Sequence, residues 1–162
     1  MHWILSAEAT NERFGYIRWP GNYSTFKNNL QKIRHLPHKF TFNMTWNVLC
    51  ASNILDFIDD QLASGFHPNN FVMNNVTDPM YFHVNHLDKN KRLALIENIE
   101  TRMENTNEKY YLYKVYKEMV NILKEPLINQ YKELYNNLKM LDKQRNLDSK
   151  KIFKELYEEE KW

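Results

Sequence analysis

Three short runs in the first half of the chain predict β-strands. The strongest is KFTFNMTWNV at residues 39–48, where aromatic and methionine side chains alternate with threonine and asparagine. An alternation of period two predicts a strand with one buried face. The two other runs are HWILS at residues 2–6 and NNFVMNNV at residues 69–76.

Segments of helical periodicity separate these strands. In residues 21–39 apolar side chains recur at helical spacing, Ser24 is the expected N-cap, and Pro37 ends the helix. Residues 51–64 carry a second apolar helical face and end near Gly65. The order strand–helix–strand–helix–strand predicts an α/β fold, with a small three-stranded parallel sheet and right-handed crossovers.

The second half of the chain is predicted to be helical. We therefore divide the chain into a βα portion at residues 1–87 and a helical C-terminal region at residues 88–162 that packs on it. A stripe of tyrosines in KYYLYKVYKEMVNIL is interpreted as helix packing rather than as a platform for stacking bases. The predicted helical segments are residues 88–105, 109–123, 127–146 and 149–162, with a break at Pro126.

Composition narrows the classes of function. Lys and Arg total 22 against 20 for Asp and Glu, so overall charge neither requires nor excludes a nucleic-acid partner. Three glycines leave no glycine-rich phosphate loop. No apolar stretch approaches the length of a membrane span, and the N-terminus lacks the layout of a signal peptide. We expect no membrane partner and a cytoplasmic protein.

Candidate chemistry lies where the predicted strands end, because ligands of open parallel sheets bind beyond the carboxyl ends of the strands. These positions are residues 6–18, 43–47 and 74–78, which carry short polar side chains, and the stretch that follows the first strand is expected to be a polar loop. Ordinary loops prefer the same residue types, so both interpretations remain open.

The cysteine and the histidines give weaker indications of a functional site. The single cysteine, Cys50, lies among apolar residues and is expected to be a buried core residue. His83-x-x-His86, with Asp78 nearby, has spacing that could hold zinc, but no further ligands are evident. Together with His67, these histidines are more simply explained as loop residues beside the sheet.

Several segments together resemble one family. YIRWPGNYSTFKNNLQKI at residues 16–33 resembles phage-type and environmental proteins of the radical S-adenosylmethionine superfamily, including those called twitch proteins. Ser6-Ala7-Glu8-Ala9 stands at the family's Ser-x-Asp-Gly-like turn, with Glu8 and Ala9 replacing its Asp and Gly. Further similar segments are residues 40–60 (with Asn53), 74–92 and 138–156, the last containing LDKQRN.

The resemblance implies that this chain is the second half of a partial (βα)6 barrel. In the family, the first half supplies three closely spaced cysteines to an iron–sulfur cluster, which binds and cleaves S-adenosylmethionine. Thiolates hold such clusters, and one cysteine cannot do so. We therefore expect no iron–sulfur cluster from this chain, and S-adenosylmethionine binding only with a partner half in trans.

The resemblance also implies a set of cofactor-binding residues. Ser6, Glu8 and Arg18 would lie beside the methionyl and ribose groups, with Asn43 and Thr45 next to them on the second strand. Arg18 could instead form an ion pair with Glu8 or Glu12 that holds the loop, and Ser6 could cap a strand end. No catalytic residue or metal ligand is assigned.

Three hypotheses for function follow. The first is an orphan or split C-terminal part of a radical S-adenosylmethionine enzyme, inactive alone. The second is a non-catalytic interaction protein that uses an exposed sheet edge, through self-association or another protein. The third, and weakest, is a nucleic-acid accessory protein with Lys- and Tyr-rich helices.

Overall fold

The central strand of the sheet is the one with the clearest alternation in the sequence. A computed structural model describes residues 1–158. Its strands and helices, in chain order, are β1 (His2–Ser6), α1 (Asn11–Ile17), α2 (Tyr23–Ile33), β2 (Lys39–Trp46), α3 (Asn53–Ala63), β3 (Phe71–Asn75), α4 (Lys89–Glu104), α5 (Tyr111–Leu123), α6 (Tyr131–Arg145), α7 (Ser149–Ile152) and α8 (Lys154–Tyr157).

The sheet is parallel and has three strands, as predicted, and its strand order is β1-β2-β3. Ser6 of β1 lies beside Asn43 of β2, and Thr45 of β2 lies beside Asn74 of β3. Because neighbouring strands follow each other in sequence, two crossovers of the same hand place α2 and α3 on one face. The sequence thus predicted the mixed helix and strand fold and its parallel sheet.

The covered face of the sheet is built from aromatic side chains. The ring of Phe42 lies 5.4 Å from Phe57 of α3, 4.9 Å from Phe66 and 5.4 Å from Phe71 of β3, centroid to centroid. Phe26 of α2 lies 6.5 Å from Phe57 and so joins the two helices. Aromatic pairs at these separations add to the stability that burial supplies.

The helical C-terminal part packs on the βα part through a shared set of buried side chains. Asp88 caps α4 by accepting from the backbone N–H groups of Asn90 and Lys91 at 2.9 and 3.0 Å. Along the predicted tyrosine stripe, Tyr116 is buried with Val120, as expected of helix packing. Within residues 1–158, no helix combines the length and the apolar character needed to cross a bilayer.

Three local predictions were wrong. The stretch after β1 was expected to be a polar loop, but it contains α1, whose Phe14 and Tyr16 are buried. Asn22, not Ser24, caps α2, since its side chain accepts from the N–H of Thr25 at 2.9 Å. The last predicted helix is divided at Phe153 into α7 and α8, and its final residues, 159–162, lie outside the described part.

Candidate functional site

One face of the sheet is open to solvent. This face is formed by the strand side chains that alternate with the buried aromatic ones, and we call it the open face. Ile4 is 65% exposed and Val72 is 42% exposed there, although both are apolar. The remaining members of the open face are polar, so it is a mixed surface; all its members are His2, Ile4, Ser6, Lys39, Thr41, Asn43, Thr45, Val72 and Asn74.

The strand register brings three of the candidate binding residues together on the open face. Ser6 and Asn43 are neighbours across β1 and β2, where strands lie about 4.8 Å apart. Asn43 Oδ1 accepts a hydrogen bond from Asn74 Nδ2 at 2.6 Å. Thr45 lies beside Asn74 in the register. Ser6, Asn43 and Thr45 therefore form a row of hydroxyl and amide groups toward the carboxyl edge.

The other two candidates, Glu8 and Arg18, form an ion pair with each other. Arg18 Nη2 donates to Glu8 Oε2, and the Glu8 side chain is only 1% exposed. Arg18 was expected either to bind a cofactor or to form an ion pair that holds the loop, and the structure contains the ion pair. Arg18 Nε is buried without a hydrogen-bond partner among the described residues, so one donor of this guanidinium is unused.

Asn53 joins the segment after β1 to the start of α3. Its Oδ1 accepts from the backbone N–H of Thr10 at 2.8 Å, and its Nδ2 donates to Thr10 Oγ1 at 2.9 Å. Thr10 is the N-cap of α1, so Asn53 fixes where that helix begins. The asparagine that carries part of the resemblance has a structural role here.

A cavity of about 190 Å³ lies beyond the carboxyl ends of the strands. This volume is below the 300–1,000 Å³ usual for pockets that hold a drug-sized ligand. Its wall comes from the segments after all three strands and from α6, including Tyr16, Asn47, Val76, Phe82 and Arg145. The cavity therefore occupies the position expected of a ligand site in a parallel sheet but has room for only a small group.

Two segments that carry the resemblance meet beside this cavity. Tyr16 Oη donates to Asp142 Oδ1 at 2.9 Å, and Arg145 Nη1 donates to the backbone oxygen of Tyr16 at 2.7 Å. The Arg145 guanidinium lies 5.7 Å from the ring centre of Tyr16 and 5.9 Å from that of Trp19. Burial, reinforced by the Asp142 carboxylate, raises the pKa of Tyr16 above its ordinary value.

Cys50 is fully buried, as predicted. Its Sγ lies 3.6 Å from the backbone oxygen of Thr45 and 3.5 Å from that of Asn47. Burial raises the pKa of the Cys50 thiol, and the nearby charge of Glu8 raises it further. A neutral, enclosed thiol is a poor nucleophile and a poor metal ligand.

Of the three histidines near β3, His67 is exposed, whereas His83 and His86 lie inside the protein. His83 Nδ1 accepts from the N–H of Asn85 at 3.1 Å, and its Nε2 lies 2.9 Å from Asn75 Nδ2. Burial lowers the pKa of His83, and it lowers the pKa of His86 to about 4. Among residues 1–158, no three side chains of His, Cys, Asp or Glu are placed to hold a metal ion.

Sequence reasoning missed the contribution of α6 to this edge. Asp142 and Arg145 lie more than a hundred positions from Tyr16, and no periodicity links them. The LDKQRN segment was noticed only through the resemblance. In contrast, the ion pair of Glu8 with Arg18 joins residues only ten positions apart, and the sequence analysis named it as one alternative.

Comparison with known proteins gives no family assignment. No protein-family model, no curated protein and no solved structure matches the chain significantly.

Proposed function

We propose that this chain forms one wall of a βα barrel and binds a small polar ligand on its open face once other strands complete the barrel. Those strands would belong to a partner chain or to a further part of the same polypeptide. The resemblance names the ligand as S-adenosylmethionine and the completed protein as a radical enzyme. The observation that carries the proposal is the row of polar side chains on an uncovered parallel sheet.

The topology supports this proposal. Strands in sequential order with helices on one side are the repeating unit of a βα barrel, whose strands point alternate side chains inward. In a completed barrel the open face would become the interior. A polar interior toward the carboxyl edge suits a ligand site, since active sites of such barrels lie at that end.

Individual roles follow from the geometry. Ser6, Asn43 and Thr45 present hydroxyl and amide groups that can bind the amino, carboxylate or ribose groups of a ligand. Glu8 is enclosed and committed to Arg18, so these two would act by shaping the loop above the ligand. The unused Nε of Arg18 could donate to a ligand only after a local rearrangement.

An iron–sulfur cluster does not fit the described residues. The chain has one cysteine, and Cys50 is buried with a raised pKa. Cluster ligation requires several thiolates. Any cluster chemistry would therefore have to come from the segment that completes the barrel.

Ligand binding to the open face can be tested by nuclear magnetic resonance on a complex of the ¹⁵N-labelled chain with the strands that complete the barrel. On titration of this complex with S-adenosylmethionine, the amide signals of Ser6, Asn43 and Thr45 should shift together. The variant Asn43→Ala should abolish the shifts, whereas Asn28→Ala, on the exposed side of α2, should leave them unchanged. Shifts confined to other parts of the chain would overturn the assignment of the site.

Completion of the barrel needs its own experiment. The chain would be co-expressed with any adjacent reading frame that encodes a CxxxCxxC run on a βα pattern. Anaerobic reconstitution should then give a brown complex that cleaves S-adenosylmethionine. Two chains that fail to associate would contradict the proposal of a split enzyme.

A second candidate function is self-association through an exposed edge of the sheet. The exposed Ile4 and Val72 favour it, because they lie on β1 and β3, the edge strands of the described sheet, and exposed apolar edge strands pair readily. Light scattering after size-exclusion chromatography should show a dimer that Ile4→Lys disrupts. The matched control is Leu93→Lys, at a 54% exposed leucine on α4. A monomer at all concentrations would exclude this candidate.

A further inference from the structure

The edge of the sheet opposite the candidate site carries a groove of about 1,110 Å³. It lies where the strands begin and where α2 and α3 end, so it is separate from the open face's carboxyl end. Side chains from β1, from the α2–β2 connection, from the end of α3 and from the start of α5 line it. We call it the amino-edge groove.

Basic side chains are concentrated in the amino-edge groove. Four of the chain's six histidines line it, together with one arginine and one lysine. No aspartate or glutamate of the described residues, 1–158, lines it, although the whole chain has nearly as many acidic as basic residues. The local field of these residues is therefore positive. The basic side chains are His2, Arg34, His35, His38, Lys39 and His67.

The groove is not explained by helix capping alone. Basic residues at the end of a helix offset its dipole, which accounts for Arg34 and His35 after α2. Arg34 Nη1 also donates to the backbone oxygen of Ser64 and so links the ends of α2 and α3. His2 lies on a strand and His67 precedes a short 3₁₀ turn, so the dipole of α2 gives no reason for them.

Several donors in the groove are not committed to protein partners. None of its basic residues forms an ion pair with a described residue. His67 Nδ1 accepts from the N–H of Asn69 at 3.2 Å, which leaves Nε2 to carry the proton of the neutral ring and to donate. His38 Nδ1 is shielded from solvent and has no partner among the described residues.

These imidazoles do not form a metal site, since no three potential ligands converge among residues 1–158. They are instead spread along the groove beside two permanent cations. Guanidinium, ammonium and imidazolium groups that share an open groove suit an extended anion with several charged oxygens. Tyr111, 57% exposed at the groove, adds an aromatic surface at one end.

We propose that the amino-edge groove binds a small ligand that carries a run of phosphates. The ligand would be inorganic tripolyphosphate or the triphosphate of a nucleotide. Arg34 and Lys39 supply two positive charges. The imidazoles of His2, His35 and His67 add hydrogen-bonding groups along the groove.

The groups that line the groove all favour an anion. His2 comes from β1, Arg34 and His35 from the end of α2, and Lys39 from the start of β2. The end of α3 contributes uncharged Ser64 and Gly65. No carboxylate of residues 1–158 lines the groove, so a bound anion meets no like charge from the described residues.

Isothermal titration calorimetry with tripolyphosphate and the full chain tests the proposal. We expect binding that weakens with added salt, because it depends on charge. The double variant His35→Gln, Lys39→Gln should lower the affinity about tenfold, because it removes an exposed positive charge and an exposed imidazole that can donate a hydrogen bond. Lys32→Gln, an exposed lysine on α2 outside the groove, is the matched control.

Comparison of ligands shows which chemical group the groove recognises. Equal binding of tripolyphosphate and ATP supports recognition of the phosphates alone, and tighter binding of ATP adds a contact of the base, which Tyr111→Ala should remove. No binding of tripolyphosphate overturns the proposal, as does an equal loss of affinity in the Lys32→Gln control. Much tighter binding of a single-stranded oligonucleotide than of tripolyphosphate would also overturn it, in favour of a nucleic-acid surface. Circular dichroism of each variant verifies that it folds.

Discussion

Arg145 of α6 donates a hydrogen bond to the backbone oxygen of Tyr16 of α1, which lies 129 positions earlier in the chain. The same guanidinium lies over the rings of Tyr16 and Trp19. This contact fastens the helical C-terminal part to the segment that follows β1. It therefore links the stability of α6 to the shape of the carboxyl edge.

Replacement of Arg145 should destabilise the protein. Arg145→Gln removes a charged hydrogen bond and two cation–π contacts, which together stabilise by about 2–3 kcal/mol. Denaturation by urea, followed by circular dichroism, gives the free energy of unfolding. Lys143→Gln, at an exposed position on α6, removes the same charge and should change it by less than about 0.5 kcal/mol. Equal effects of the two changes would contradict the role given to Arg145.

Loss of Glu8 should cost more than loss of a surface acid. Removal of the enclosed Glu8 carboxylate leaves Arg18, whose side chain is 31% exposed, without its charge partner, and we expect Glu8→Gln to destabilise by about 1–2 kcal/mol. The exposed Glu12→Gln, four positions later, is the control. In the double variant Glu8→Leu, Arg18→Met, most of this loss should be recovered, because neither charge remains. Additive losses in the double variant would show that the pair is not coupled.

The buried His86 should make the protein less stable in mild acid. Burial lowers its pKa to about 4 in the folded protein, whereas the unfolded chain binds a proton near the ordinary value of about 6.5. Between these two values the unfolded state holds more protons, so the free energy of unfolding falls as the pH falls, by up to about 3 kcal/mol. His83, whose pKa is also lowered, acts with the same sign.

The variant His86→Phe keeps a ring against Tyr131, which lies 5.3 Å from the His86 ring. It should reduce the dependence of unfolding free energy on pH between about 4 and 6.5, relative to the unaltered protein. Urea denaturation at several pH values measures this slope. An unchanged slope would assign the acid sensitivity to other groups.

Cys50 should be unreactive in the folded protein. Its thiol is enclosed and its pKa is raised, so the thiolate that attacks disulfide reagents is scarce. A chromogenic disulfide reagent should modify the native protein only at the rate of its unfolding and should modify the denatured chain at once. Rapid modification of the native protein would show that Cys50 is accessible and would make it a candidate nucleophile.

The elements that the sequence predicted best are those with local patterns. The alternation of apolar and polar residues through β2 predicted both the strand and its buried face, because Phe42 and the other buried side chains occupy every second position. Gly65 ends α3 with a φ of 88°, which glycine adopts without strain, and its position marked the end of that helix in advance. In contrast, α1 was missed, since it is short, contains Gly15 and is stabilised by burial of Phe14 and Tyr16.

The candidate site was only partly predictable for the same reason. Ser6, Asn43 and Thr45 could be placed together because the ends of parallel strands share an edge. The contacts of Tyr16 with Asp142 and Arg145 depend on how the helices return to the sheet, and no spacing in the sequence encodes that. The amino-edge groove was overlooked because His2, His38 and His67 belong to different elements and converge only after folding.

Within residues 1–158, β1 forms hydrogen bonds with only one neighbouring strand, β2. The amide and carbonyl groups along its outer edge are therefore available to another strand, and their order is set by the direction of β1. A strand that extends the sheet as a barrel does must run in the same direction as β1, and its inward side chains must fall in step with Ile4 and Ser6. A peptide that docks there in the opposite direction would extend the sheet without continuing the curvature of a barrel. Strand direction in any complex thus distinguishes an assembly partner from an adventitious one.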